Sequence, residues 1–320
     1  MLRGRFAPTP SGAMHLGNAK IALLSWLQVR SAGGVFVLRI EDIDVQRSRP
    51  HLIQSIIDDM KWLGLDWDEG PGKGGPYGPY TQSERLERYE DALQKLQQKG
   101  RLYPCYCSRA ELLSVAGAPH GLASEGAPYP GTCRALTQEE RAVRERRKKP
   151  AIRFALKDEQ YTVQDGIAGP HSFPKGSGGD FIVKRADGMY SYQLAVTIDD
   201  AAMRITHVLR GDDLLDSTPR QLALYEALNL APPRFAHAPL IMGEDGHRLA
   251  KRHGDLSLSF LRSTGVQPQK VIGWLAFISG LTDRPEPLQP SDLTSGFELH
   301  SISKTPFTLT QQMNRELLES

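Results

Sequence analysis

The chain has 320 residues, enough for two or three domains around at least one large core, and its 40% hydrophobic and 24% charged residues are ordinary for a globular protein. A formal net charge of +2 is too small to argue for nucleic acid by itself. No run approaches the ~20 apolar residues that span a bilayer, and the opening MLRGRFAPTPSG lacks the basic-then-apolar order of a signal peptide, so the chain reads as cytoplasmic with no membrane partner.

RGRF opens as a short strand and breaks at Pro8, Pro10 and Gly12. From His15 to Val29 apolar residues recur at helical spacing (Leu16, Ile21, Leu24, Leu27), and Gly33 and Gly34 end the helix. VFVLRIEDID, from Val35, is an apolar strand that runs into acids, and HLIQSIIDDMKWLGL, from His51, is an amphipathic helix. Gly70 to Tyr80 is a Gly/Pro-rich loop, and SERLERYEDALQKLQQKG is a further helix that stops at Gly100. This β-α-β-α order predicts an α/β fold with a doubly wound parallel sheet, whose ligands sit at the carboxyl ends of its strands.

Between 101 and 180 the pattern degrades into short strands, the three cysteines, a Gly/Ala/Pro-rich loop at 116–131 and a basic helix. This predicts a subdomain inserted between a first half of the sheet domain, 1–100, and a second half, 181–240. RAVRERRKKP, after TQEE, places six Arg or Lys in the nine positions from Arg141 to Lys149. It reads either as a solvated helix face with cations at its C-terminal end or as a patch that contacts phosphates. DFIVKR and YSYQLAVTIDD are strand-like, ITHVLRGDDLL follows, and 218–228 is an amphipathic helix. The last stretch, 241–320, holds a polar loop, a helical region over 255–280 and a Pro-rich segment at 284–290.

Two stretches carry candidate chemistry. In APTPSGAMHLGN a strand turns through Pro and Gly into a helix N-terminus, where free backbone N–H groups and the positive dipole end make an anion site. His15 can donate to a phosphate oxygen there, and the missing side chain of Gly17 lets a flat ring pack on the backbone. HRLAKRHGD, from His247 to Asp255, brings Arg248, Lys251 and Arg252 into one polar loop. It is either a solvated turn or a cationic clamp for charge that builds on a departing pyrophosphate.

YPCYCS holds Cys105 and Cys107, which share a face if the segment is extended, and Cys133 follows the turn at Gly131. Three cysteines cannot make a disulfide framework, and clustered thiols in a reducing compartment bind metal or do chemistry. Zinc prefers four thiolate or imidazole ligands, so ligand chemistry alone nominates His120 as the fourth; three buried thiols without metal are the plainer reading.

HLGN at 15–18 and RLAKR at 248–252 resemble the HIGH and KMSKS signature pair of class I aminoacyl-tRNA synthetases. RFAPTPSGAMHLGNAK, LRIEDID, YQLAVTIDD, THVLRGDDLL and RLAKRHG are similar, in order and spacing, to the glutamyl branch of that class over residues 3–260. The departures are mild: Asn18 replaces the last histidine, Arg248 the first lysine and Ala250 the serine, while Lys251 keeps the second lysine. The resemblance implies a Rossmann-like catalytic domain in which His15, Gly17 and Lys251 are catalytic. It places His15, Gly17, Asn18, Arg248 and Lys251 on ATP, which arrives with Mg²⁺. Arg5, Phe6, Ala7, Pro8, Thr9, Glu41, Tyr192 and Arg210 then surround L-glutamate. Within that set Glu41 is the natural partner for the α-ammonium and Arg210 or Arg5 for the carboxylates. Val196 stands where the branch usually carries an asparagine, which implies a weaker grip on glutamate.

The chain ends at Ser320, soon after His253 and Gly254, where the glutamyl branch continues into a helical anticodon-binding region. This plan resembles the glutamyl-Q tRNA(Asp) synthetases, a bacterial family of truncated glutamyl-branch paralogs. The resemblance implies tRNA-independent activation of glutamate and its transfer to the queuosine base at the wobble position of tRNA(Asp). It makes 101–180 an acceptor-binding-like subdomain and 241–320 a KMSKS-type loop with a short helical region and no anticodon-binding domain. The family's C-x-C followed by Y-x-x-x-C assigns a structural Zn²⁺ to Cys105, Cys107, Tyr129 and Cys133, with His120 as the alternative to Tyr129. A monomer is the simplest assembly. The rival readings are a truncated glutamyl-tRNA synthetase that charges a tRNA 3′ end and a catalytically silent paralog that binds amino acid or RNA.

Overall fold

The structure, a computed structural model, describes residues 1–108, 111, 129–249 and 256–319; His120 and the 250–255 stretch with Lys251 lie outside them. The chain begins β1 (Arg3–Phe6), α1 (Leu16–Arg30), β2 (Val35–Leu38), α2 (Pro50–Trp62) and α3 (Leu86–Gln98). There follow β3 (Leu102–Cys105), α4 (Gln138–Glu145), β4 (Ala151–Phe154), β5 (Tyr161–Asp165), β6 (Gly169–Phe173) and β7 (Phe181–Lys184). The sheet domain resumes with α5 (Tyr192–Ala202), β8 (His207–Gly211), α6 (Thr218–Leu228) and β9 (Arg234–Ala238). The chain then runs through β10 (Ile241–Gly243), α7 (Leu258–Ser263), α8 (Pro268–Ile278), β11 (Phe307–Leu309) and α9 (Gln311–Leu318).

The central sheet is parallel throughout, in the order β2-β1-β8-β9. Between β1 and β8 the strand order reverses, so the carboxyl ends at Phe6 and Gly211 open a crevice of the kind in which doubly wound folds bind ligands. α1 lies directly on β1: a Cβ on Gly4 would stand 2.5 Å from Val29 Cγ2, so only glycine permits that approach. Phe6, Leu16, Leu23, Leu27, Phe36 and Leu38 share one core with Leu258, Trp274, Leu275, Leu309 and Leu317. The region after the crevice-lining loop is thus packed onto the first half of the sheet. β11 returns to pair in parallel with β10, Met242 opposite Thr308.

Two elements differ from expectation. YSYQLAVTIDD is not a strand: Ser191 caps α5, its side chain accepting from Leu194 N–H at 3.3 Å. Gln193 to Asp200 are all buried, so this run has no exposed face, its polar residues Gln193, Thr197 and Asp200 point inward, and the apolar, β-branched residues between them imitate a buried strand. The helical region over 255–280 is two helices, α7 and α8, broken at Gly265 with φ +84°.

The expected insertion, 101–180, holds β3, β4 and a separate β5-β6 hairpin, but its antiparallel sheet β3-β4-β7 takes its third strand from Phe181–Lys184, just past the expected boundary. α4 begins with Thr137 and Glu140 capping each other and ends at Glu145, with no buried residue. Arg146 to Lys149 therefore follow the helix rather than complete it.

Candidate active site and cysteine cluster

A cleft of about 530 Å³ opens at the carboxyl ends of β1 and β8. Arg5, Phe6, Ala7, Pro8, Thr9, Glu41, Tyr192 and Arg210 line it, together with His15, Gly17, Asn18 and Arg248. These residues come from β1 and its loop, the start of α1, the segment after β2, the start of α5, β8 and the loop after β10. Val196, one turn beyond Tyr192 on α5, is buried and outside this lining.

His15 is the N-cap of α1: its Nδ1 accepts from Gly17 N–H at 3.1 Å, and Asn18 Oδ1 accepts from His15 N–H at 3.5 Å. Nδ1 is thereby the acceptor and Nε2 carries the proton. Burial, and then the nearby Arg248 charge, hold the imidazole below its usual pKa. The ring is neutral and offers one donor at the helix start, where the dipole already favours an anion. A Cβ on Gly17 would meet His15 Cε1 at 3.1 Å, so the missing side chain also makes room for the histidine's own ring. Met14 carbonyl accepts from Leu258 N–H at 2.7 Å and His15 bridges Ser257, so residues 257–258 border this helix start. On the near side Arg248 Nη1 pairs with Asp213 Oδ2 at 2.6 Å.

Beneath the glutamate-type residues lies a buried charge lattice. Asp200 accepts from Arg39 Nη1 at 2.7 Å and from Arg5 Nε at 3.3 Å, and Glu41 Oε1 accepts from Arg39 Nη2 at 2.9 Å. Asp199 accepts from Arg85 Nε at 2.6 Å, Gln82 Nε2 at 2.9 Å and Tyr89 OH at 2.8 Å. Arg5, Arg39 and Arg85 thus face Glu41, Asp199 and Asp200, a balanced set, and breaking one such buried pair typically costs about 3–5 kcal/mol.

Arg210 stands apart from that balance. Its guanidinium donates to His237 Nε2 at 2.9 Å, Gln221 Oε1 at 2.7 Å, Thr218 Oγ1 at 3.0 Å and the Leu214 carbonyl at 3.3 Å, all neutral acceptors. Burial pulls its pKa down accordingly. Among the described residues this buried cation is hydrogen-bonded only to neutral groups, and on the wall of an open cleft such a cation suits a ligand carboxylate. Lys20 is a second cation in the wall: Nζ donates to the Pro239 carbonyl at 2.8 Å, and burial lowers it to about 8.

Sequence reasoning missed Lys20, Asp213 and the brace of Arg210. Asp199 and Asp200 stood in the quoted YQLAVTIDD, and a pair of acids inside an apolar run signals buried cationic partners. His237, in RFAHAPL, carried no comparable signal.

The cysteines converge away from the cleft. The ligand atoms of Cys105, Cys107 and Cys133 lie within 4.8 Å of one another, with Cys107 Sγ 3.6 Å from Cys133 Sγ. Tyr129 OH is 3.5 Å from Cys105 Sγ and 3.6 Å from Cys107 Sγ, and it accepts the Cys133 N–H at 2.8 Å. Tetrahedral zinc with Zn–S bonds near 2.3 Å sets its ligands roughly 3.8 Å apart, so three thiols and one phenol at these spacings fit that ion. The Arg153 guanidinium lies 3.7 Å from the centre of the Tyr129 ring. It adds a positive charge beside a donor set that becomes anionic when it binds metal.

The model of the family "tRNA synthetases class I (E and Q), catalytic domain" matches residues 1–311. The chain is 62% identical over 307 residues to the glutamyl-Q tRNA(Asp) synthetase of Symbiobacterium thermophilum, covering 96% of this chain and 95% of that protein. It is 50% identical over 294 residues to the protein of the same name from Nitratidesulfovibrio vulgaris, covering 91% and 90%. Among solved structures, a glutamate tRNA ligase from Elizabethkingia meningosepticum in complex with its amino acid superposes with a TM-score of 0.83 at 30% identity. That match covers 99% of this chain and 68% of the other.

Proposed function

The chain belongs to the class I tRNA synthetases for glutamate and glutamine and is a ligase of that type; from this premise we propose that it activates L-glutamate with ATP, without tRNA, and transfers it to queuosine in tRNA(Asp). The observation that carries the amino-acid step is Arg210, a buried cation on the cleft wall whose hydrogen-bond partners among the described residues are all neutral. Arg210 takes one carboxylate of glutamate, Glu41 takes the α-ammonium, and Arg5, Phe6, Ala7, Pro8, Thr9 and Tyr192 shape the pocket. ATP, as its magnesium complex, lies against the start of α1 with Gly17, Asn18 and Arg248.

The α-carboxylate attacks the α-phosphate in line, and pyrophosphate leaves. The neutral His15 donates from Nε2 to a phosphate oxygen, and Lys251 neutralises the charge that develops on the departing group. Glutamyl-adenylate then acylates a hydroxyl of the queuosine cyclopentenediol, releasing AMP. No side-chain nucleophile is required, so catalysis is positioning plus electrostatics.

Cys105, Cys107, Tyr129 and Cys133 would hold a zinc ion that supplies a structural cross-link to the insertion. The insertion, with Arg141, Arg144 and the cations after α4, would face the RNA. The working unit is read as a monomer, in the cytoplasm where its substrates are. Among the described residues no helix is long and apolar enough to cross a membrane.

The test is glutamate-dependent ATP–pyrophosphate exchange without tRNA. Exchange with glutamate and not with aspartate or glutamine is the expected result; no exchange under any amino acid overturns the reading and moves it to a binding paralog.

A further inference from the structure

His237, one of the residues that brace Arg210, and Asp165, the acid behind it, do not line the cleft. His237 Nε2 accepts from Arg210 Nε at 2.9 Å, and His237 Nδ1 lies 2.5 Å from Asp165 Oδ2. Asp165 and His237 are both buried, at the end of β5 and within β9. An arginine can only donate and an ionised carboxylate can only accept, so the imidazole between them is neutral with its proton on Nδ1. The Phe235 ring, over which the Arg210 guanidinium lies at 5.0 Å, stacks beside the imidazole with an interplanar angle of 18°. Asp165 itself is immobilised: Oδ1 accepts backbone N–H from Ile167 at 3.0 Å, Ala168 at 2.9 Å and His237 at 2.9 Å.

We propose that Asp165 and His237 are positioning residues for the substrate carboxylate, fixing the one imidazole tautomer that can accept from Arg210 and so tying the grip on the amino acid to the inserted hairpin. The proposal rests on the reading of Arg210 as the partner of a glutamate carboxylate. Asp165 is one residue removed from the guanidinium, behind the imidazole: its charge orients the ring without pairing with the arginine. A carboxylate in direct contact with Arg210 would compete with the ligand, whereas a neutral histidine holds the guanidinium and leaves its charge for the substrate.

Asp165→Asn separates this role from plain stability. The amide oxygen satisfies the three backbone N–H groups, which turns the amide NH₂ toward His237. The ring must then accept at Nδ1 and carry its proton on Nε2, placing a donor against the Arg210 donor. Glutamate-dependent exchange kinetics and thermal unfolding are measured on wild type, Asp165→Asn, His237→Leu and His237→Gln. Asp165→Asn and His237→Leu are expected to raise KM for glutamate about tenfold with kcat within about threefold, and His237→Gln, which returns an acceptor, to recover most of the loss. Lower unfolding temperatures with KM within about twofold of wild type would overturn the proposal, because that is the pattern of a structural contact alone. Wild type that neither exchanges nor is thermally stabilised by glutamate would instead sink the functional reading, and the positioning role with it.

Discussion

The cleft and the cysteine cluster are both constellations of polar side chains, but they are built over different distances. The cluster draws Cys105, Cys107, Tyr129 and Cys133 from one short stretch of chain, and its atoms meet each other. The cleft joins Arg5 to Asp200, Arg39 to Asp200 and Arg210 to His237 across separate strands and helices, and among the described residues Arg210 pairs with no acid. A closed set of mutually satisfied donors is what a structural ion needs, and an unbalanced charge facing open space is what a substrate needs.

Predictions that strain this contrast can be ranked. Lys251→Ala removes charge that matters as pyrophosphate departs, so exchange falls by about 10²–10³ while calorimetric glutamate binding persists. Cys133→Ala should leave exchange within about threefold in protein that remains folded, since the cluster is separate from the cleft; a collapse of exchange at unchanged fold would merge the two regions.

Next in size, Arg210→Ala should raise KM for glutamate tenfold to a hundredfold, roughly 1.5–3 kcal/mol, with little change in KM for ATP. Equal losses for both substrates would mean that Arg210 does not single out the amino acid.

The acid limb of stability gives a comparable figure. Burial opposes ionisation of Asp165, but its bonds from His237 and the backbone win and lower it from 3.8 to about 2. A carboxyl depressed in this way stabilises fully above its unfolded value and loses that contribution as pH falls through about 2. The loss amounts to about 2 kcal/mol at 1.36 kcal/mol per pKa unit, and Asp165→Asn should flatten this limb in acid unfolding curves. An unchanged limb would show that the carboxylate is not held as the geometry implies.

The smallest effect belongs to the cluster. Tyr129→Phe removes one of four donors, so purified protein should carry less zinc and release it faster to a chelator. Undiminished zinc would transfer the fourth position to His120 or to water.

Legibility in the sequence followed the same division. The β1-α1-β2 start, with its helix beginning near His15, and the cysteine spacing were readable because each depends on local pattern, turn chemistry or ligand counting. α5 was misread because it is buried on all sides over Gln193 to Asp200, so its short polar stripe is sparse and its apolar, β-branched residues resemble a buried strand. The pocket residues were assembled through motif resemblance, whereas the Asp165–His237 brace was invisible: a hairpin and a strand that are remote in sequence meet only in the fold. Asp199 and Asp200 lay between, present in a quoted motif but without a partner until Arg39 and Arg85 were placed beside them.

The central claim is that glutamate activated in this cleft is delivered to a modified base. Labelled glutamate, ATP and the protein should be incubated with tRNA(Asp) bearing queuosine, with tRNA(Asp) lacking it, and with tRNA(Glu). Label confined to the queuosine-bearing tRNA(Asp) is the predicted result; label on tRNA(Glu), or on tRNA(Asp) regardless of queuosine, would contradict it and assign the chain to charging at the 3′ end.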